Sequence, residues 1–122
     1  MRKLVLTLVI AVSTLSLPGS GAVAQDAGWT EIEALFADRC VMCHSGDTPP
    51  KGLRLDSHEA ALAGSENGPV LIAGDPDESE LVKRIRGESE PRMPLRGDPL
   101  SEDEIAMIVQ WVTDGMPGPA AQ

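Results

Sequence analysis

Five residues constrain this chain more than any others: Cys40-Val41-Met42-Cys43-His44. Two cysteines two residues apart, followed at once by histidine, form the attachment signal for a c-type haem. The chemistry sets the spacing. Each thiol adds to one haem vinyl group, and a two-residue gap lets both sulfurs reach vinyls on the same porphyrin edge. His44 is then tethered beside the ring, where a neutral imidazole nitrogen binds iron. Cys40 and Cys43 are the only cysteines, so none is left for another bridge. A redox-active thiol pair is the alternative, but it expects a βαβ-rich, thioredoxin-like setting. Structural zinc wants four ligands. His58 is the only other histidine, so there is no second Cys/His pair at zinc spacing. The expectation is one covalent haem c, with its iron, on Cys40, Cys43 and His44.

Residues 1–24 read as an address rather than as fold. Arg2 and Lys3 give a positive start, and Leu4 to Leu17 is an uncharged apolar run. Pro18, Gly19 and Gly21 break it, and Ala22-Val23-Ala24 fits the small-residue cleavage pattern. The run is shorter than the about 20 residues of a membrane span, and no cysteine follows it to take a lipid. An uncleaved N-terminal anchor is the alternative. The expected outcome is a signal peptide cleaved after Ala24, export to the periplasm and no stable membrane anchor. Export agrees with the haem reading, because c-type haem is attached outside the bacterial cytoplasm.

Cleavage changes the charge. The whole chain carries 10 basic and 19 acidic residues, and losing Arg2 and Lys3 leaves 8 against 19, a net charge of −11. Such a surface disfavours nucleic acid and anionic lipid and favours a redox partner with a basic docking patch. Simple solubility in the envelope space would explain the acidity equally well. Residues 25–122 suffice for one small domain. Its aromatic supply is two Trp and one Phe, with no Tyr, which is thin for an independent core. A buried haem would serve as both cofactor and core.

Helical signals recur along this domain. Thr30-Glu31-Ile32-Glu33 reads as a capping box, with Ile32, Leu35 and Phe36 leading into Cys40. Asp56-Ser57-His58-Glu59 opens a second helix, which Gly64 stops. Asp75 followed by Pro76 predicts a third start. Its apolar stripe is Leu81, Val82 and Ile85, its basic end Lys83, Arg84 and Arg86, and its stop Gly87. Ser101-Glu102-Asp103-Glu104 is the clearest box, followed by Ile105, Ile108, Val109 and Val112 on one face and Gly115 as terminator. Between helices lie loops rich in Pro and Gly; Val70 to Ala73 is at most a short extended piece. The fold class is all-α: helices and irregular loops wrapped around one covalently bound haem.

His44 fills one face of the iron, and Met or His usually fills the other. Met42 sits inside the attachment loop and cannot reach round. Met107 falls about 200° from Ile105, off the apolar face. Met116 lies in a terminal Gly/Pro segment, and His58 reads as a surface residue of a short charged helix. Met93 lies in Glu90-Pro91-Arg92-Met93-Pro94. Pro94 pushes it away from helical geometry, so its side chain can project from extended backbone. A gap-filling core methionine is the alternative. Met93 is the favoured distal ligand on its spacing from His44, on loop chemistry and on the resemblance that follows.

The sequence resembles the class I c-type cytochromes, and within them the small planctomycete-type cytochrome c domain. The resemblance rests on Cys40 to His44, Gly52-Leu53-Arg54-Leu55-Asp56-Ser57, Gly74-Asp75-Pro76 with Ser79 and Leu81, Arg92-Met93-Pro94, and a last helix with Trp111, Val112 and Gly115. It covers residues 30 to 116. It implies a small class I cytochrome c fold whose iron is ligated by His44 and Met93. It also implies N- and C-terminal helices that cross near the haem, bringing Phe36 and Trp111 together. Two departures touch loop rigidity: Ala73 stands where the family often has Pro, and so does Leu95. Gly52, Leu53 and Leu55 are expected in the pocket wall. Lys51, Arg54, Arg92 and Arg96 are candidates to neutralise the propionates.

The resemblance implies a periplasmic one-electron carrier rather than an enzyme, because two permanent axial ligands leave no iron position for substrate. Two alternatives remain. One is a haem subunit of an enzyme complex. The other is a ligand sensor or peroxidase-like protein whose distal position opens.

Overall fold

The computed structural model describes residues 28–120. The segment read as a signal peptide, residues 1–24, lies outside the described residues. Four helices follow in order: α1 (Trp29–Arg39), α2 (His58–Ala63), α3 (Glu80–Arg86) and α4 (Glu102–Thr113), with a 3-10 turn at Pro50–Gly52 between α1 and α2. The described residues hold no strand, only an isolated bridge between Ser65 and Gly68. This is the all-α class that the sequence patterns predict.

α1 starts earlier than the Thr30 box suggests. It begins at Trp29, and its N-cap, Gly28, makes no side-chain cap bond. Packing explains the difference. Trp29, Ile32 and Phe36 form one buried stripe, spaced so that starting at Trp29 adds a turn's worth of apolar contact. Trp29 then meets Trp111 of α4, with ring centroids 5.8 Å apart. A buried large side chain contributes about 1.5–3 kcal/mol, more than the about 1 kcal/mol of a typical cap.

α3 also starts elsewhere than expected. Asp75 does not cap it: its Oδ1 accepts the Glu78 N–H at 3.3 Å inside a turn, and the helix begins at Glu80 behind Ser79. Ser79 is fully buried. Its hydroxyl accepts from the Ile72 N–H at 2.8 Å and donates to the Asp75 carbonyl at 2.9 Å. The serine spends its hydrogen bonds on the preceding loop, and Pro76 shapes that loop instead of opening a helix. At the other end Gly87, at φ 76°, makes the left-handed stop. Leu81, Val82 and Ile85 are all buried, as their spacing predicts.

α4 carries the Ser101 capping box in full: the Ser101 hydroxyl accepts the Glu104 N–H, and the Glu104 carboxylate accepts the Ser101 N–H. Its buried stripe is Ile108, Trp111 and Val112, with Ile105 and Val109 only half-buried. α4 packs against both α1 and α3, so more than one side of it is covered. That is why Met107, expected off the apolar face, packs half-buried against the core. Phe36 and Trp111 meet edge to face at 6.1 Å where α1 and α4 pack.

His58 is not the surface residue its charged neighbours suggest. Its ring meets Trp29 at 5.1 Å and Trp111 at 6.1 Å, edge to face in both cases. Its Nε2–H donates to the Met116 carbonyl at 2.9 Å, and Trp111 Nε1–H donates to the Pro117 carbonyl at 3.0 Å. Gly118 lies so close that an added Cβ would sit 3.0 Å from His58 Cε1. These bonds fold the C-terminal Gly/Pro segment back onto the aromatic cluster and bury Met116.

Candidate functional site

The attachment pentapeptide grows directly out of α1. Cys40 and Val41 N–H both donate to the Phe36 carbonyl, at 2.8 and 2.9 Å. Cys43 and His44 N–H both donate to the Cys40 carbonyl, at 3.2 and 3.0 Å. The two sulfurs are therefore set on consecutive tight turns anchored by a buried helix. They are free thiols, with Cys40 half-buried and Cys43 exposed.

The electrostatics of Cys40 oppose its use as a redox nucleophile. Burial pushes the Cys40 thiol up to about 11; Arg39 pulls it down by less, and Cys43 and Glu104 add to the rise. Cys40 is thus a neutral thiol at neutral pH. A catalytic thiol pair needs the opposite shift, since the thiolate is the nucleophile.

His44 is gripped from the 53–55 segment. The Leu55 N–H donates to the His44 carbonyl at 2.8 Å, and His44 Nδ1 lies 3.1 Å from the Leu53 carbonyl. A carbonyl only accepts, so Nδ1 carries a proton, which in the neutral ring leaves the lone pair on Nε2. That tautomer is the one a metal-binding imidazole uses, with its orientation fixed by the outer bond. The donor set thus fits a haem iron on its proximal side. Side-chain reasoning missed the role of Leu53, because a main-chain oxygen performs it and any residue type has one.

Met93 comes from the loop between α3 and α4. Its N–H donates to the Arg84 carbonyl at 3.0 Å, and its side chain packs half-buried against the core. Leu35, Val41, Leu53, Ile105 and Val109 are likewise only partly covered and pack against that core, leaving apolar surface open to a hydrophobic cofactor. Leu55, expected in the pocket wall, is buried.

The four propionate candidates differ in their commitments. Arg54 Nη2 pairs with Asp56 at 2.6 Å, and that hydrogen bond holds the Asp56 carboxyl below its ordinary value. Lys51 lies 3.7 Å from Glu66. Arg92 and Arg96 make no ion pair among the described residues, and both flank Met93. An open depression of about 410 Å³ between the 3-10 turn and α2 is lined by Gly52, Arg54 and Ser57 among others. It includes Gly52 and Arg54 but neither the two cysteines nor His44 nor Met93.

Among the described residues no helix is long and apolar enough to cross a membrane. Residues 40–96 match the family model of the planctomycete cytochrome C. The match opens on Cys40 and runs through the Met93 loop, leaving α1 and α4 outside. No curated protein and no solved structure matches the chain. The attachment motif, the helical fold and this match agree: residues 40–96 are similar to the planctomycete cytochrome C domain.

Proposed function

We propose that this protein is a periplasmic monohaem cytochrome that carries single electrons between redox partners. One haem is attached through Cys40 and Cys43, and its iron is ligated by His44 and Met93. The observation that carries this reading is the His44 Nδ1–H bond to the Leu53 carbonyl at 3.1 Å, directly behind a CxxCH motif. It orients the ring and, in the neutral imidazole, leaves Nε2 as the metal donor.

When bound, the haem supplies a one-electron Fe(III)/Fe(II) couple. The chain's own residues do the rest. Cys40 and Cys43 hold the porphyrin edge. Leu53 orients His44, and the apolar surface of Leu35, Val41, Ile105 and Val109 excludes water. Arg92 and Arg96 are the uncommitted cations nearest Met93 in sequence and are the preferred propionate partners. Two permanent ligands leave no iron position for substrate, so the protein is not itself an enzyme. Export follows from residues 1–24, with cleavage after Ala24. The acidic surface then meets a basic patch on the partner.

Spectra and intact mass test this. The exported protein should weigh residues 25–122 plus one haem, and acid-acetone should not extract the haem. Its oxidised spectrum should be low-spin with a weak red-edge sulfur-to-iron band. A mass without haem, or one that retains residues 1–24, would refute attachment or cleavage respectively. A spectrum without the sulfur band would refute Met93 ligation.

A further inference from the structure

Among the described residues, the loop that carries Met93 is hydrogen-bonded to α3 at one end and to Arg39 at the other, with Leu100 buried beyond it. On the α3 side, the Met93 N–H donates to the Arg84 carbonyl at 3.0 Å, and Arg84 Nη1–H donates to the Pro91 carbonyl at 3.4 Å. Beyond Met93 the loop runs exposed toward α4, with Leu95 67% exposed. Among the described residues, one hydrogen bond reaches residues 94–99: Arg39 Nη2–H donates to the Asp98 carbonyl at 2.6 Å.

Arg39 is the last residue of α1 and precedes Cys40. Its other terminal nitrogen, Nη1, lies 3.1 Å from each carboxylate oxygen of Glu104, in the first turn of α4. One guanidinium therefore joins the helix that leads into the attachment motif, the far end of the Met93 loop and the start of α4. The task suits arginine specifically. Its planar fork presents several donors in fixed directions, whereas a lysine ammonium is a single point charge on a flexible stem. The Arg39 side chain is 21% exposed; its bonds to Glu104 are half-buried, while the bond to the Asp98 carbonyl lies at the surface.

We propose that Arg39 is a positioning residue for the distal ligand: by pinning Asp98 it keeps the Met93 loop closed over the iron and so limits access of external ligands. The inference rests on the reading that Met93 ligates the iron. Loop opening is local unfolding, and its frequency depends on the few bonds that hold the loop. Removing the single hydrogen bond to residues 94–99 loosens the stretch between Met93 and the buried Leu100.

The test uses the oxidised exported holoprotein, with imidazole as the external ligand and its rate of uptake as the readout. Arg39→Lys keeps the charge and a pair with Glu104 but loses the fork; Arg39→Gln loses both. Glu104→Gln weakens the ion pair, preserves the capping box, which accepts Gln, and leaves Nη2 on Asp98. Arg39→Lys and Arg39→Gln should each speed uptake about tenfold, which is about 1.4 kcal/mol in loop closure. Glu104→Gln should speed it no more than about threefold, as for an exposed pair, even where its urea midpoint falls as far. Uptake unchanged in Arg39→Lys would overturn the proposal. So would equal acceleration by Glu104→Gln, which would assign control to helix pairing. A wild type that lacks the sulfur–iron band and binds imidazole as fast as Met93→Ala would overturn the Met93 reading and take this proposal with it.

Discussion

Replacing His58 tests whether the aromatic cluster is built around it. His58→Ala removes one hydrogen bond, to the Met116 carbonyl at 2.9 Å, and two edge-to-face contacts, with Trp29 at 5.1 Å and Trp111 at 6.1 Å. Each aromatic contact contributes about 0.5–1.5 kcal/mol, and the hydrogen bond about 1 kcal/mol. Position 58 opens α2, where alanine's better helix propensity returns about 0.5 kcal/mol. The expected loss is about 2–3 kcal/mol, which for a domain of this size lowers the melting temperature by about 8–24 °C. His58→Phe keeps the ring contacts and loses only the hydrogen bond, for about 1 kcal/mol. Urea denaturation of the holoprotein reads both, with an unchanged slope showing that only stability moved. The haem spectrum should stay constant in both variants. A loss within about 0.5 kcal/mol in His58→Ala, the level of an ordinary surface substitution, would refute the packing argument. A changed haem spectrum with the sulfur band lost would instead make His58 part of the iron site.

Met93→Ala should abolish the red-edge band, admit exogenous ligands and lower the reduction potential, since a thioether favours Fe(II) over a harder replacement; Met107→Ala, read in the same spectra, should do none of these. Acid should weaken the α1–α4 junction. Glu104 is held below the usual glutamate value near 4.5, first by its bond from the Ser101 N–H and further by Arg39. A depressed folded-state value stabilises above that usual value, and the contribution is lost as pH falls through the folded value. Melting curves at falling pH should show a steeper loss below about pH 4.5 in wild type than in Glu104→Gln. Electron transfer to a basic partner should slow steeply between 0.01 M and 0.1 M salt, as the Debye length shrinks from about 30 Å to about 10 Å. Reversing the charge of exposed Glu88 and Glu90 should lower the low-salt rate and leave the potential nearly unchanged; a rate indifferent to both salt and these reversals would mean the acidity serves solubility.

What the amino-acid sequence determined alone lies within a few residues of itself. Cys40, Cys43 and His44 mark a haem-attachment motif by their spacing alone. The Ser101 box forms because its partners are three residues apart, and Gly87 stops α3 because no Cβ opposes its positive φ. The Leu81, Val82 and Ile85 stripe is buried as its period predicts. What the tertiary structure alone decided involves groups far apart in the chain. Thr30 yields the start of α1 to Trp29 because Trp111 waits on α4. Asp75 yields the start of α3 to Ser79, which is buried against the loop before it. His58 carries charged neighbours in sequence and aromatic ones in space. The proton on His44 Nδ1 is placed by a carbonyl nine residues away, and Asp98 is held by an arginine 59 residues back. Such contacts leave no local pattern, because burial and hydrogen bonding reward whatever the fold brings together, whereas capping, spacing and backbone freedom act on neighbours along the chain.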